Sequence, residues 1–439
     1  MHHRRLNPVR LMFATAALAL SVGLAGPALA SREQPIEPID LPPSVEQGVD
    51  MIYIDPEIAP RLNDANVAMH QISFEEWAGA PLDLFLPVNP IYTDLRRGLV
   101  RYQQRWGDLP QLQIPAGPTM KLGTEGVNVA MLRDRLGLAP GTKFDAALAA
   151  TVKEYQQAHG LKADGVAGGG TIASMNLGAR HYERLIIVNL ERARRLPLAT
   201  EAHRYILVDV GSARMSMYEN GRVVDSMKVI VGKEETATPM MAAQMRYLSV
   251  NPYWNVPPEL VTSLIAPNVL KQGMTYLKDR RYEVLADWSD EATAIDPSTI
   301  DWPAVAQGRK VIRVRQLPGG GNSMGQVKYM MPNDFGIYLH DTPNKALFAD
   351  DNRWISNGCI RVEDAQRLST WLMGGLPQSQ DPDRPLRVDL PDPVPVYVTY
   401  LTVAASPQGV LFRGDPYKRD PAVIARYFGE RDLAVVAGN

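Results

Sequence analysis

A lone cysteine and one particular histidine are the residues best suited to chemistry. Cys359 lies in Ser356-Asn357-Gly358-Cys359-Ile360-Arg361-Val362, and His340 lies in Gly336-Ile337-Tyr338-Leu339-His340-Asp341-Thr342-Pro343. A free thiol with a pKa near ~8.5 is only a few per cent thiolate at neutral pH, so a cysteine nucleophile needs a base beside it. An imidazole can take the proton and stabilise the thiolate as an ion pair. The segment Asp341 to Gly358 is long enough to loop out and return Cys359 to His340. Gly358 lets backbone approach a ligand closely, and N–H groups around Gly358 and Cys359 are ready donors to an oxyanion. Asn357, Ser356 and Asp341 are the candidate orienting groups. Arg361 and Arg353 can grip a substrate carboxylate through a bidentate fork. Tyr338 and Trp254 are further candidate substrate contacts.

Elimination supports His340 as the base. The other histidines are His2, His3, His70, His159, His181 and His203, and none closes a strand at a turn in the same way. No HxxxH or CxxC spacing is present, so no metal site is expected, and nothing calls for a cofactor. Gly168-Gly169-Gly170 and Gly319-Gly320-Gly321 lack the lysine of a phosphate loop and read as flexible turns. A net charge of -2 gives no basic footprint for nucleic acid. Redox sensing would want a resolving cysteine, and there is one cysteine in all. The competing non-catalytic reading is a binding scaffold with Cys359 buried and inert.

The 439 residues, 45% apolar and 21% charged, belong to a multidomain globular chain. Arg4, Arg5 and Arg10, the apolar run Leu11 to Ala25, and Ala28-Leu29-Ala30 have the anatomy of a signal peptide over 1–30. Export is therefore expected, to periplasm or wall, with no integral span after cleavage; a retained anchor is the alternative. A Pro-rich tether follows over 31–59. Helices are expected over 60–116, with Thr93 or Asp94 capping Leu95, Leu99, Tyr102 and Trp106. Residues 117–178 read as a three-helix module, with Phe144-Asp145 opening its second helix. Residues 179–202 hold a basic amphipathic helix whose charges form a solvated or domain-packing face. From 203 the apolar period shortens to two, and Asn220-Gly221 between apolar strands predicts a type I′ hairpin. A helix-rich insertion at about 255–310 interrupts the strands, which then resume at Val311–Val314 and Gly336–His340. Asp364 should cap a helix carrying Leu368, Trp371 and Leu372. Residues 391–439 read as a late strand and an irregular tail. The class is α+β: a β-rich, sandwich-like domain over 203–390 with an inserted lid, a helical scaffold and a small helical module.

The two chemical segments resemble the YkuD-type L,D-transpeptidase catalytic domain, whose pattern is an early His followed by S-H-G-C and a pair such as Ile-Arg. The likeness is nearest to the large, YcbB-like branch, through Leu339-His340-Asp341-Thr342-Pro343, Leu347-Phe348, Arg353, Asn251-Pro252, Trp254-Asn255-Val256-Pro257 and Asn189-Leu190-Glu191-Arg192 with Arg195-Leu196-Pro197. Residues 117–177 resemble a type 1 peptidoglycan-binding domain through Phe144-Asp145, Gln156, His159-Gly160-Leu161, Asp164-Gly165 and Thr171. The resemblance implies that Cys359 attacks the carbonyl between the third residue and D-Ala of a tetrapeptide stem. D-Ala is then released, a thioester forms, and a second stem's amine makes a 3→3 cross-link. Water as acceptor would make a carboxypeptidase, and a protein acceptor would make an attachment enzyme. It implies stem peptides as partners, and other wall-synthesis proteins as possible ones. Asn357 departs from the family, which often carries a His there.

Overall fold

The computed structural model describes residues 51–54, 88–198 and 203–429; the expected signal peptide, the rest of the 31–59 tether and all of 60–87 lie outside them, while residues 51–54, expected as tether, form a strand paired with the main sheet. Helix α1 (Pro90–Tyr102) is capped by Asn89, whose side chain accepts from the Ile91 N–H, with Pro90 in the first turn. The cap thus falls upstream of Thr93 and Asp94, because Asn89 supplies the acceptor and Pro90 lacks the N–H that a helix start leaves orphaned. Leu95, Tyr102 and Trp106 are buried along one stripe.

Three short helices follow: α2 (Val127–Arg135), α3 (Ala146–Ala158) and α4 (Gly169–Leu177). Asp145 caps α3 by accepting from the Leu148 N–H. The residues that carry the module's resemblance serve its own fold. Gln156 donates to Asp164, Val166 and Thr171 and accepts from the Gly165 N–H. The module also shares its core with its neighbours. Phe144, Leu148 and Tyr155 join one apolar cluster with Tyr102, Trp106, Tyr205, Tyr397 and Phe412.

His159 is the keystone of that junction. Its ring stacks on Tyr155 at 3.7 Å and on Phe412 at 5.3 Å. Nδ1 lies 2.8 Å from the Tyr155 carbonyl and Nε2 3.1 Å from the Tyr102 hydroxyl. The carbonyl can only accept, so Nδ1 carries the proton and Nε2 accepts from Tyr102: the neutral ring satisfies both contacts. Burial pushes its pKa down to about 3. The unfolded chain therefore binds a proton that the folded chain refuses between about 6.5 and 3, and stability falls as pH drops through that window. The urea midpoint should decline from pH 7 to pH 4, and His159→Phe, which cannot titrate, should decline less steeply. Parallel declines in the two proteins would remove His159 as the source.

Helix α5 (Ala179–Ala193) is tied to the C-terminal part of the chain. Asn189 donates to the Thr402 hydroxyl and accepts from the N–H groups of Thr402 and Val403. Arg192 forms a buried ion pair with Asp420 at 2.7 Å. This part of the basic helix is a packing face.

The β-rich part begins with β1 (Met51–Ile54), β2 (Arg204–Asp209), β3 (Arg214–Glu219), β4 (Arg222–Gly232) and β5 (Met241–Val250). Asn220 and Gly221 have φ of 50° and 72°, the paired positive values of the predicted hairpin. The insertion contains β6 (Trp254–Val256), α6 (Ala266–Gln272), α7 (Thr275–Asp279), β7 (Tyr282–Leu285), β8 (Ala294–Ile295), α8 (Trp302–Ala306) and β9 (Arg313–Gln316). It is more than helical: its strands form a separate four-stranded sheet in the order β6-β9-β7-β8. The main sheet continues with β10 (Val327–Met330), β11 (Leu339–His340), β12 (Trp354–Ser356), β13 (Ile360–Val362), α9 (Ala365–Met373) and β14 (Leu386–Thr399). Asp364 caps α9 through the Arg367 N–H. β14 pairs with both β2 and β5, so the ten-stranded sheet closes on itself. Its interior is filled by Met215, Val229, Leu248, Tyr329, Leu339, Ile360 and Val396. The tail is structured where irregularity was expected. β15 (Val403–Ser406) and β16 (Gly409–Phe412) form a hairpin, followed by α10 (Asp420–Phe428). Val410 and Phe412 supply the apolar burial that holds the hairpin on the helical part.

Candidate active site

Strand register brings the two chemical segments together. β11 and β13 are parallel neighbours, with Leu339 opposite Ile360 and His340 opposite Arg361. Leu339 and Ile360 point into the core. By strand alternation His340 and Arg361 share the other face, and Lys328 of β10, opposite His340, joins them there.

The Cys359 loop is held by its own backbone partners. β12 and β13 both pair with the last residues of β4, so Ser356–Cys359 crosses over the end of that strand. Gly232 permits the crossing: a Cβ there would lie 2.1 Å from the Thr236 carbonyl oxygen and 2.7 Å from the Thr238 nitrogen. The Ser356 hydroxyl donates to the Cys359 carbonyl at 2.7 Å and accepts from the Gly358 N–H at 3.2 Å. Thr238 donates to the Gly358 carbonyl at 2.6 Å. Thr238 in turn is set by Tyr417, whose hydroxyl accepts from the Thr238 N–H and donates to the Gly232 carbonyl. Thr238 and Tyr417 carry no motif of their own, and the sequence reading did not reach them.

Gly358 has φ of 118°, a conformation that L side chains rarely adopt. Gly358→Ala should therefore shift the Cys359 loop rather than unfold the domain. The expected result is at least a tenfold loss of turnover with a stability cost of about 1–2 kcal/mol. Turnover within a factor of two of the parent would show that the conformation is dispensable.

The sulfur sits beside Tyr338 and donates weakly to the Gly336 carbonyl at 3.8 Å. Burial raises the thiol pKa, against lowering contributions from the Tyr338 N–H and phenol, Lys328 and Arg361. Burial also holds the Tyr338 phenol neutral, far above its usual range. His340 is buried, with its ring 5.7 Å from that of Tyr338. Its Nδ1 donates to the Asp341 carbonyl at 2.5 Å, which leaves Nε2 as the acceptor. Burial first, then the nearby charges of Arg361, Lys328 and Lys345, pushes its pKa down to about 3. Both shifts favour a neutral thiol beside a neutral imidazole before substrate binds, and so work against a standing ion pair. No hydrogen bond joins His340 to Cys359 in the resting geometry.

The remaining candidates divide. Asp341 orients His340 through its carbonyl, while its carboxylate accepts from Lys345 at 2.6 Å and from the Gln326 N–H at 2.9 Å. Arg361 has a buried Nε with no hydrogen-bond partner, free to meet an anion. Asn357 is exposed. The Gly358 N–H is taken by Ser356, so of the expected oxyanion donors the Cys359 N–H is the free one. Arg353 donates through its terminal nitrogens to the carbonyls of Asp350, Asp351 and Ser212 and so braces the loop, while its buried Nε, like that of Arg361, has no hydrogen-bond partner. Trp254, only 8% exposed, belongs to the insertion's core. That core reaches the site through Tyr338, which packs against it. Among the described residues no cluster of His, Cys, Asp or Glu is placed to hold a metal, and no helix is long and apolar enough to cross a membrane.

Residues 203–398 match the family described as "L,D-transpeptidase catalytic domain". Residues 131–175 match the one described as "Putative peptidoglycan binding domain". A curated protein of Haemophilus influenzae, named "Putative L,D-transpeptidase", is 34% identical over 181 residues, covering 41% of this chain and 36% of that protein. The chain thus aligns with about a third of that relative's length. Among solved structures, an L,D-transpeptidase from Mycobacterium smegmatis is 12% identical, with a TM-score of 0.22 over 45% of this chain and 58% of the other. L,D-transpeptidase 3 from Mycobacterium tuberculosis, in complex with a faropenem-derived adduct, is 11% identical, with a TM-score of 0.24 over 45% and 60%. Scores this low leave the weight on the family match. The chain carries a YkuD-type L,D-transpeptidase catalytic domain. Its second matched region is a module of the peptidoglycan-binding type.

Proposed function

We propose that this protein forms 3→3 peptidoglycan cross-links through a thioester on Cys359, acting in the periplasm or wall. The observation that carries the reading is the convergence of Cys359, His340, Tyr338 and Arg361 around the paired strands β11 and β13. His340 Nε2 takes the thiol proton as the sulfur attacks the carbonyl between the third stem residue and D-Ala. Cysteine–histidine contacts often tighten only when substrate binds, so the absence of a resting hydrogen bond does not oppose the step. The oxyanion faces the free Cys359 N–H and the Tyr338 hydroxyl. The C–N bond then breaks, D-Ala leaves as the amine with the proton from His340, and a thioester remains. An amine from a second stem repeats the sequence in reverse; water in its place gives the carboxypeptidase outcome. Arg361 is suited to a substrate carboxylate.

Mass spectrometry with a disaccharide-tetrapeptide tests the reading. D-Ala loss, an acyl adduct on Cys359 and a dimeric product are expected. Cleavage elsewhere in the stem, or an adduct away from Cys359, would overturn it. We assign the insertion as a cover over the cleft, since its core meets Tyr338. Hydrogen exchange across 255–310 should slow when substrate binds; unchanged exchange at saturating substrate would remove that role.

A further inference from the structure

A cation stands in the site without an assigned role. Val327 and Tyr329 point into the core, so Lys328 between them must project to the opposite face. There it lies opposite His340 of β11 and Ser249 of β5. Its ammonium sits 4.6 Å from the centroid of the Tyr338 ring. The nearby carboxylate of Asp341 is occupied by Lys345, and no hydrogen bond or ion pair engages the Lys328 ammonium. Its partner is the face of the Tyr338 ring, so no anion of the protein neutralises the ammonium. The anion that arises here is the Cys359 thiolate, flanked by Arg361 from β13. We propose that Lys328 is a positioning residue for the Cys359 reaction: its ammonium fixes the Tyr338 ring and serves as the counter-charge to the thiolate across the site.

The inference rests on the functional reading above, and it concerns one step. The S–H bond breaks, its electron pair stays on sulfur, and the proton goes to His340 Nε2 or, in the free enzyme, to solvent. The charged and titratable groups facing the sulfur are Tyr338, Lys328 and Arg361; Arg387 of β14 lies beyond Ser249. Burial lowers the Lys328 pKa, and the charge of Cys359 raises it in return. Tyr338 stays protonated and His340 unprotonated at neutral and mildly alkaline pH, so the alkylation profile follows the thiol, whose pKa burial raises, beside an ammonium whose pKa burial lowers.

Iodoacetamide alkylation of Cys359 in the full-length protein, followed across pH by mass spectrometry, tests the inference without substrate. Lys328→Met should move the profile up by about one pH unit, making alkylation about tenfold slower on the rising limb. Lys328→Arg should restore the rate to within about threefold. A Met profile overlaying the parent, or an Arg profile shifted as far as Met, overturns the proposal. Should the Met variant melt early, Lys328→Gln supplies the neutral comparison under the same criteria. D-Ala release, measured in parallel, separates the two levels. A parent that releases no D-Ala sinks the functional reading while the alkylation profiles still decide the role of Lys328.

Discussion

Cys359→Ala should abolish D-Ala release and cross-linking outright while leaving the fold in place. The chemical half follows from the site: among the described side chains grouped with His340, Tyr338, Lys328 and Arg361, none but the thiol can carry an acyl group as a thioester. The stability half follows from where the sulfur sits. It is half-buried, and its hydrogen bond, to the Gly336 carbonyl at 3.8 Å, is weak. The loop around it is held by Ser356, Thr238 and the pairing of β12 and β13 with β4, none of which uses the thiol. Replacing S–H by a hydrogen in that setting should cost within about 1 kcal/mol, a shift in Tm of no more than about 4 °C. Turnover and melting temperature measured on the same preparation check both halves. Residual cross-linking by a folded Ala variant would remove Cys359 as the nucleophile. Loss of activity with a collapsed melting curve would be uninformative about the nucleophile, so Cys359→Ser, which keeps a similar volume, accompanies it and should also be inactive.

The parts of this structure legible in the sequence are those set by short-range physics. Asn220-Gly221 specified its hairpin because two successive positive φ values suit few other pairs. Asp145 and Asp364 announced their helices because a side-chain oxygen three residues before an N–H is a local matter. The site segments were visible because a lone thiol and a strand-end imidazole are chemically distinctive. What stayed hidden depends on partners far along the chain. Lys328 becomes interesting only when β10 is registered against β11, and Lys-328 as a lone symbol in an apolar strand gives no sign of it. Thr238 and Tyr417 support the Cys359 loop across long sequence separations. Trp254 looked like a site aromatic and proved to be core, since a four-stranded sheet in the insertion was not apparent from its short, Pro-rich segments. The tail read as irregular because Val410 and Phe412 are buried against helices from the opposite end of the chain.

Replacing His340 tests the other half of the proposed pair, and its expected effect is nearly as large. If His340 takes the Cys359 proton, His340→Ala should cut D-Ala release by roughly 10²–10⁴, the span usual for loss of a general base. Alanine also removes a buried ring and its bond to the Asp341 carbonyl, so His340→Asn is the cleaner variant. Its amide can still donate to that carbonyl but cannot accept a proton at neutral pH. Asn357→Ala should cost far less, since Asn357 is exposed and an amide at that position can only orient neighbours. The pH dependence separates base loss from disruption. In the parent, burial and the surrounding cations hold His340 neutral down to about pH 3, so turnover should show no acid limb near the ordinary histidine value of about 6.5. In His340→Asn, deprotonation must come from solvent, and burial has raised the thiol's pKa. Turnover in that variant should therefore climb with pH toward and beyond the ordinary thiol range, narrowing its deficit at alkaline pH. Initial rates of D-Ala release from pH 5 to 10 would show both limbs. A variant whose deficit is the same at every pH would mean that His340 shapes the site without taking the proton. Equal losses in His340→Asn and Asn357→Ala would place the base elsewhere, with Tyr338, which already faces the sulfur, the next group to replace.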